Sequence, residues 1–179
     1  EVSGLTLSPD ARWVAFEIRA KLIEVWETQE EKLILSLQSS SQPSVRFHPT
    51  DGSLIALLNG QLVRIHLPDG GVEVIADGLT STRRLAISPD GRHAAFSQTL
   101  DLDGVTPRQR LEVRSLGNGA RIYSAPVNLS GDLAWTPDSR HLAVFDRSTG
   151  ILGLHEVTTG EAPAPRELAR TMSTGRRVA

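Results

Sequence analysis

Four times along this chain, two apolar residues one position apart stand just ahead of a proline: Leu5 and Leu7, Val45 and Phe47, Leu85 and Ile87, Leu133 and Trp135. Successive side chains of a strand point to opposite sides, so this alternation predicts a β-strand with one buried face. Beyond each proline a second apolar run follows: Val14-Ala15-Phe16, Ile55-Ala56-Leu57, Ala94-Ala95-Phe96 and Leu142-Ala143-Val144. The recurring alanine predicts a strand pressed against a close neighbour, provided that the second copy has a turn one residue longer than the rest. Between the two runs lie Ser8-Pro9-Asp10-Ala11, His48-Pro49-Thr50-Asp51-Gly52, Ser88-Pro89-Asp90-Gly91 and Thr136-Pro137-Asp138-Ser139. Proline presets φ for a type I turn, Asp suits the next position, and Gly accepts the left-handed residue that follows. Each phrase therefore predicts a hairpin with a bulged loop. The prolines fall 40, 40 and 48 residues apart, a period that signals stacked repeats.

The rest of each period supplies two more strands. In the first unit Leu22–Trp26 and Lys32–Leu37 follow the hairpin, and in the second Leu62–Leu67 and Val72–Ile75. In the third, strands Leu85–Ser88 and Ala94–Gln98 precede a long connection, Thr99–Gln109, before Leu111–Arg114 and Arg121–Tyr123. The fourth continues through Leu152–Val157, but its last strand is poor because Pro163 and Pro165 remove ladder donors. No segment carries a long helical period. Short strands with Gly/Pro turns at even spacing predict an all-β chain of four-stranded antiparallel units at about 1–40, 41–80, 81–127 and 128–170.

The phrase Leu5-Thr6-Leu7-Ser8-Pro9-Asp10, with Trp13-Val14-Ala15-Phe16 behind it, resembles the WD-repeat β-propellers and their bacterial relatives, including the TolB type. Ile23-Glu24-Val25-Trp26-Glu27 followed by Lys32-Leu33-Ile34-Leu35 is similar to the WD signature and the strand after it. The resemblance implies a β-propeller of about four such blades, with a buried polar network that departs from the family's, since no Gly-His dipeptide occurs and Trp26-Glu27 is the nearest match to Trp-Asp. Ser173-Thr174-Gly175-Arg176-Arg177-Val178-Ala179 repeats Ser81-Thr82-Arg83-Arg84-Leu85-Ala86, which makes 171–179 the expected start of a fifth blade. The expectation is a partial propeller with two open blade faces, partnered by the remaining blades of the same chain.

Charge and chemistry narrow the function by subtraction. The 19 Lys+Arg nearly balance 21 Asp+Glu, so there is no general pull toward nucleic acid or an acidic membrane. No apolar run is long enough to insert in a membrane. Cysteine is absent, which removes disulfides and thiolate metal ligation and is compatible with a reducing cytoplasm, though the compartment stays open. No nucleophile elbow, phosphate loop or His-Glu-x-x-His motif occurs. The five histidines are dispersed, and Asp101-Leu102-Asp103-Gly104 lacks the other ligands of a calcium loop, so no metal or cofactor is expected. What remains is a non-catalytic protein-interaction scaffold. The alternative is an accessory propeller of a larger enzyme of prolyl oligopeptidase type, or a TolB-like periplasmic transport protein. Unit three carries extra residues between its second and third strands, so Asp101, Asp103 and Arg108 in that connection, with Arg83 and Arg84 on the preceding link, form the expected contact patch for a protein partner.

Overall fold

The computed structural model describes residues 2–18, 21–100, 108–127, 133–146, 150–157 and 166–170. They form sixteen strands and, among the described residues, no helix. The first sheet contains β1 (Val2–Leu7), β2 (Trp13–Ile18), β3 (Leu22–Glu27) and β4 (Lys32–Gln38). The second contains β5 (Ser44–Phe47), β6 (Leu54–Leu58), β7 (Gln61–Ile65) and β8 (Val72–Ala76). The third contains β9 (Thr82–Ile87), β10 (His93–Leu100), β11 (Arg108–Ser115) and β12 (Arg121–Pro126), and the fourth β13 (Leu133–Trp135), β14 (His141–Asp146), β15 (Ile151–Glu156) and β16 (Arg166–Arg170). Each sheet is an antiparallel meander in chain order. Neighbouring sheets meet through their first strands, β1 against β5, β5 against β9 and β9 against β13, so these four line a common centre. The fourth strands lie at the far edges.

Apolar side chains from two successive sheets fill each gap. Trp13, Ala15, Ile23 and Val25 meet Val45, Phe47 and Leu54 between sheets one and two. Ile55, Leu57 and Leu62 meet Leu85, Ala94 and Phe96 in the next gap. Ala95, Leu111, Val113 and Tyr123 meet Leu142 and Val144 in the last. Each fully buried Leu, Ile or Phe contributes about 1.5–3 kcal/mol. The first sheet shows what an uncovered face looks like. Leu5 is 58% exposed, whereas its counterparts Val45 and Leu85 are 0% and 2% exposed, and Leu7 is 54% exposed against 7% for Phe47.

Several local expectations need correction. The second turn has the same length as the others, because Phe47 pairs with Leu54 just as Leu7 pairs with Val14. Register therefore puts Ile55, not Ala56, in the place of Ala15, and Ala56 packs on the opposite face. The long connection in unit three is shorter than Thr99–Gln109, since both strands run into it and Leu100 pairs with Arg108. The last strand, β16, begins after Pro165 and pairs with β15 from Arg166 to Arg170, with a register irregularity opposite Leu152 and Gly153. The segment 171–179, expected to open a fifth blade, lies outside the described residues.

The expected departure in the polar network takes a definite form. Glu112, 1% exposed, accepts from Arg114 Nε at 2.5 Å and from Gln98 Nε2 at 2.6 Å. Glu24 stands at the same register position in sheet one, opposite Phe16 as Glu112 is opposite Phe96, and accepts from Trp26 Nε1 at 3.1 Å. Between sheets three and four the Tyr123 hydroxyl is hydrogen-bonded to His155 Nδ1 at 2.8 Å. Burial holds that imidazole below its ordinary value, which favours the neutral ring.

Candidate functional site at the mouth of the inner strands

The four first strands all run toward the Pro-Asp turns, so the two ends of the central opening differ. At the end where these strands begin lies a cavity of about 540 Å³ lined by Gly4, Leu5, Glu17, Gln42, Pro43, Ser44, Arg46, Arg83, Arg84, Leu85 and Leu133. A smaller one of about 300 Å³ sits at the turn end, lined chiefly by Phe47, Pro49, Ile87, Pro89 and Trp135. The first holds most of the charge, and Arg46 lines both.

Glu17, at the end of β2, is mostly buried. Its Oε1 accepts from the Val45 amide at 2.8 Å and from Arg46 Nη1 at 3.3 Å. Arg46 also donates to the Val45 carbonyl at 2.6 Å, which pins the guanidinium beside the carboxylate. A Cβ on Gly4 would come within 2.5 Å of Glu17 Oε2, so glycine is what leaves room for this carboxylate. Ser44 ties the strands together, with its hydroxyl 3.5 Å from Glu17 Oε1 and accepting from the Leu85 amide at 3.4 Å.

Arg83 and Arg84 enter the mouth because β9 is irregular. Ala95 pairs with Ala86 and Ser97 with Arg83, leaving Phe96 opposite both Leu85 and Arg84. This is a β-bulge, and Arg84 takes a left-handed φ of 64° within it. A bulge breaks strict alternation, so two consecutive arginines line one cavity. Both are exposed. Arg83 is held at its backbone, where its carbonyl accepts from Ser97 Oγ at 3.1 Å.

The expected contact patch is partly visible. Arg83 and Arg84 lie in strand β9, not on a link, and Arg108 opens β11. The start of β9 and the Leu100–Arg108 pairing share one end of the sheet, and Thr80 Oγ1 donates to the Thr99 carbonyl at 3.0 Å. Asp101 and Asp103 lie outside the described residues. Sequence reasoning missed Arg46 and Glu17. Their signal was there in part: Arg46 sits between Val45 and Phe47, on the face those two turn away from the core.

No family model matches the chain, and no curated protein matches it. Solved structures do. The β-propeller domain of Myceliophteria thermophila Cps50 (Swd1) aligns with TM-score 0.67 and 16% identity over 93% of this chain and 59% of that one. The dihydro-heme d1 dehydrogenase NirN aligns with TM-score 0.68 and 20% identity over 92% of this chain and 38% of that one. A putative 6-phosphogluconolactonase from Bacteroides fragilis aligns with TM-score 0.65 and 16% identity over 95% of this chain and 54% of that one. The chain has the β-propeller fold. Its four sheets are propeller blades that do not close a ring, and the chain spans well under two thirds of each of these structures.

Proposed function

We propose that this propeller is a non-catalytic interaction domain that receives a protein partner at the mouth end of its inner strands. The observation that supports it is the gathering of Glu17, Arg46, Arg83 and Arg84 from two successive blades and the blade before them around one open cavity. Four interlocked blades supply a rigid frame, and recognition falls to the irregular segments that the frame holds in place. On sequence grounds Asp101, Asp103 and Arg108 belong to the same proposed contact surface, and Arg108 opens β11. The propeller domain of Cps50 (Swd1), a dehydrogenase and a putative lactonase share this fold, so fold alone does not choose among functions, and the reading rests on the site.

The chain offers a direct test because it carries two lysines, one at each end. Lys21 lies between β2 and β3 at the mouth end, and Lys32 opens β4 beside the turn end. Amine-reactive crosslinking of the full-length protein with its co-purified partner should link Lys21 and spare Lys32. Crosslinks through Lys32 with none through Lys21 would place the partner on the other face and remove this reading.

A further inference from the structure

We infer that the mouth cavity is an oxyanion subsite that takes a carboxylate from an acidic peptide segment of the partner, a reading that rests on the interaction role above. Three guanidinium groups line the cavity against one carboxylate, which leaves an excess of positive charge. The carboxylate is already engaged, with Glu17 Oε1 held by the Val45 amide and by Arg46. Arg83, by contrast, is exposed, and its guanidinium makes no hydrogen bond or ion pair with a described residue. The fork of an arginine matches a carboxylate with two parallel hydrogen bonds, and a second arginine adjacent to it strengthens the pull.

The backbone adds an independent observation. Arg84 keeps a left-handed conformation at φ 64°, where a side chain costs energy and glycine does not. The equivalent Gly4 of blade one does not take a left-handed φ, so the bulge that turns Arg84 belongs to blade three. That conformation sets Arg84 beside Arg83 on the cavity wall, so the bulge presents two guanidinium groups to one ligand. The walls are not purely charged. Leu5, Leu85 and Leu133 lie beside the arginines. A surface that joins apolar walls to guanidinium groups fits a peptide that interleaves leucine with glutamate better than it fits a small hydrated anion.

The test uses the whole chain and a capped hexapeptide of alternating glutamate and leucine, with its glutamine analogue and inorganic phosphate as separate probes in calorimetric titrations. The glutamate peptide should bind and weaken as salt is raised, and the glutamine analogue should bind about tenfold or more weakly. Arg83→Ala should reduce glutamate-peptide binding by about tenfold, as should Arg84→Gly, which relieves the left-handed backbone and so leaves the fold intact. Glu17→Gln keeps an acceptor for the Val45 amide but removes the competing charge, so it should tighten peptide binding by about threefold, a change that a purely structural role would not produce. Equal binding of the two peptides, or binding indifferent to Arg83 and Arg84, would overturn the inference. Phosphate binding that depends on both arginines without peptide binding would overturn the peptide as its source. Crosslinks through Lys21 together with a failed peptide titration would leave the interaction role standing and remove only the oxyanion subsite.

Discussion

The two ends of this propeller are built from the same four strands per blade and are opposite in character. At the turn end the hydroxyl and carboxylate of the recurring phrase are used locally, although the buried Nδ1 of His93 has no hydrogen-bond partner among the described residues. Ser8 Oγ donates to Asp10 at 2.6 Å and accepts from the Trp13 amide at 2.9 Å, while Asp10 accepts from the Arg12 amide at 3.0 Å. Ser88 and Asp90 repeat this with Arg92 and His93 at the same distances, and Thr136 and Asp138 repeat it with Arg140 and His141. The turns are also tied to one another. His48 Nε2 lies 2.7 Å from the Gly91 carbonyl, which can only accept, so this nitrogen carries the proton, and the Asp90 amide donates to Ser139 Oγ at 3.1 Å. At the mouth end no such repeat survives. The equivalent inner positions Gly4, Ser44 and Arg84 differ in every blade, and two of the first strands are bulged. Repetition goes with local satisfaction, and divergence with a mixed mouth in which Glu17 and Arg46 are paired while Arg83 and Arg84 are exposed.

The largest effect that would sharpen this contrast is at Gly91. A side chain there meets the His48 ring at 2.5 Å and a φ of 71°. Gly91→Val should cost about 3 kcal/mol in a urea titration, from the left-handed penalty and the lost inter-blade bond together. At the mouth, Arg84→Gly relieves the left-handed φ but gives up the side chain's own contact, so stability should change by no more than about 1 kcal/mol in either direction. A costly Arg84→Gly would break the contrast.

Next in size is Ser88, fully buried, whose hydroxyl satisfies the His93 amide. Ser88→Ala should cost about 1–3 kcal/mol by the same titration, because a buried donor loses its acceptor.

Acid should probe all four turns at once. Hydrogen bonds from Ser8 and the Arg12 amide hold Asp10 below its ordinary 3.8, and those from Thr136 and the Arg140 amide do the same for Asp138. For Asp51 and Asp90 partial burial pushes upward, but hydrogen bonds from Ser53 and Ser88 and the following amides outweigh it. A carboxyl with a depressed folded value stabilises the fold fully above the unfolded value and loses that contribution as pH falls through the folded one. Melting temperature should therefore drop as pH falls below 3.8, and the combined Ser8→Ala, Ser88→Ala and Thr136→Ala variant should drop less steeply from its lower starting point. Parallel curves for the two proteins would show that the turns do not carry the acid response.

Much of this was legible in the chain because apolar alternation and the proline phrase are short-range signals. They place the hairpins, the four strands per blade and the buried faces, since Leu85 or Phe96 has no other way to leave water. Register was less legible. Ala56 looks like the partner of Ala15 in a list of apolar triplets, and only the pairing of Arg46 with Ile55 reveals that it faces the other way. The mouth was least legible. A β-bulge leaves no mark in Thr82-Arg83-Arg84-Leu85, and Glu17 meets Arg46 across 29 residues of sequence. Such a meeting depends on blade stacking, which local patterning does not encode.

The central claim is that the mouth end recognises and the turn end supports. Arg83 at the mouth and Arg92 at the turns are both exposed arginines on the same blade, so reversing each charge is a matched pair. Both Arg83→Glu and Arg92→Glu should change stability by no more than about 0.5 kcal/mol, as surface substitutions do. Capture of the native partner by the full-length protein, measured by quantitative co-purification, should fall sharply for Arg83→Glu and stay at the wild-type level for Arg92→Glu. Loss of capture with Arg92→Glu and full capture with Arg83→Glu would contradict the account.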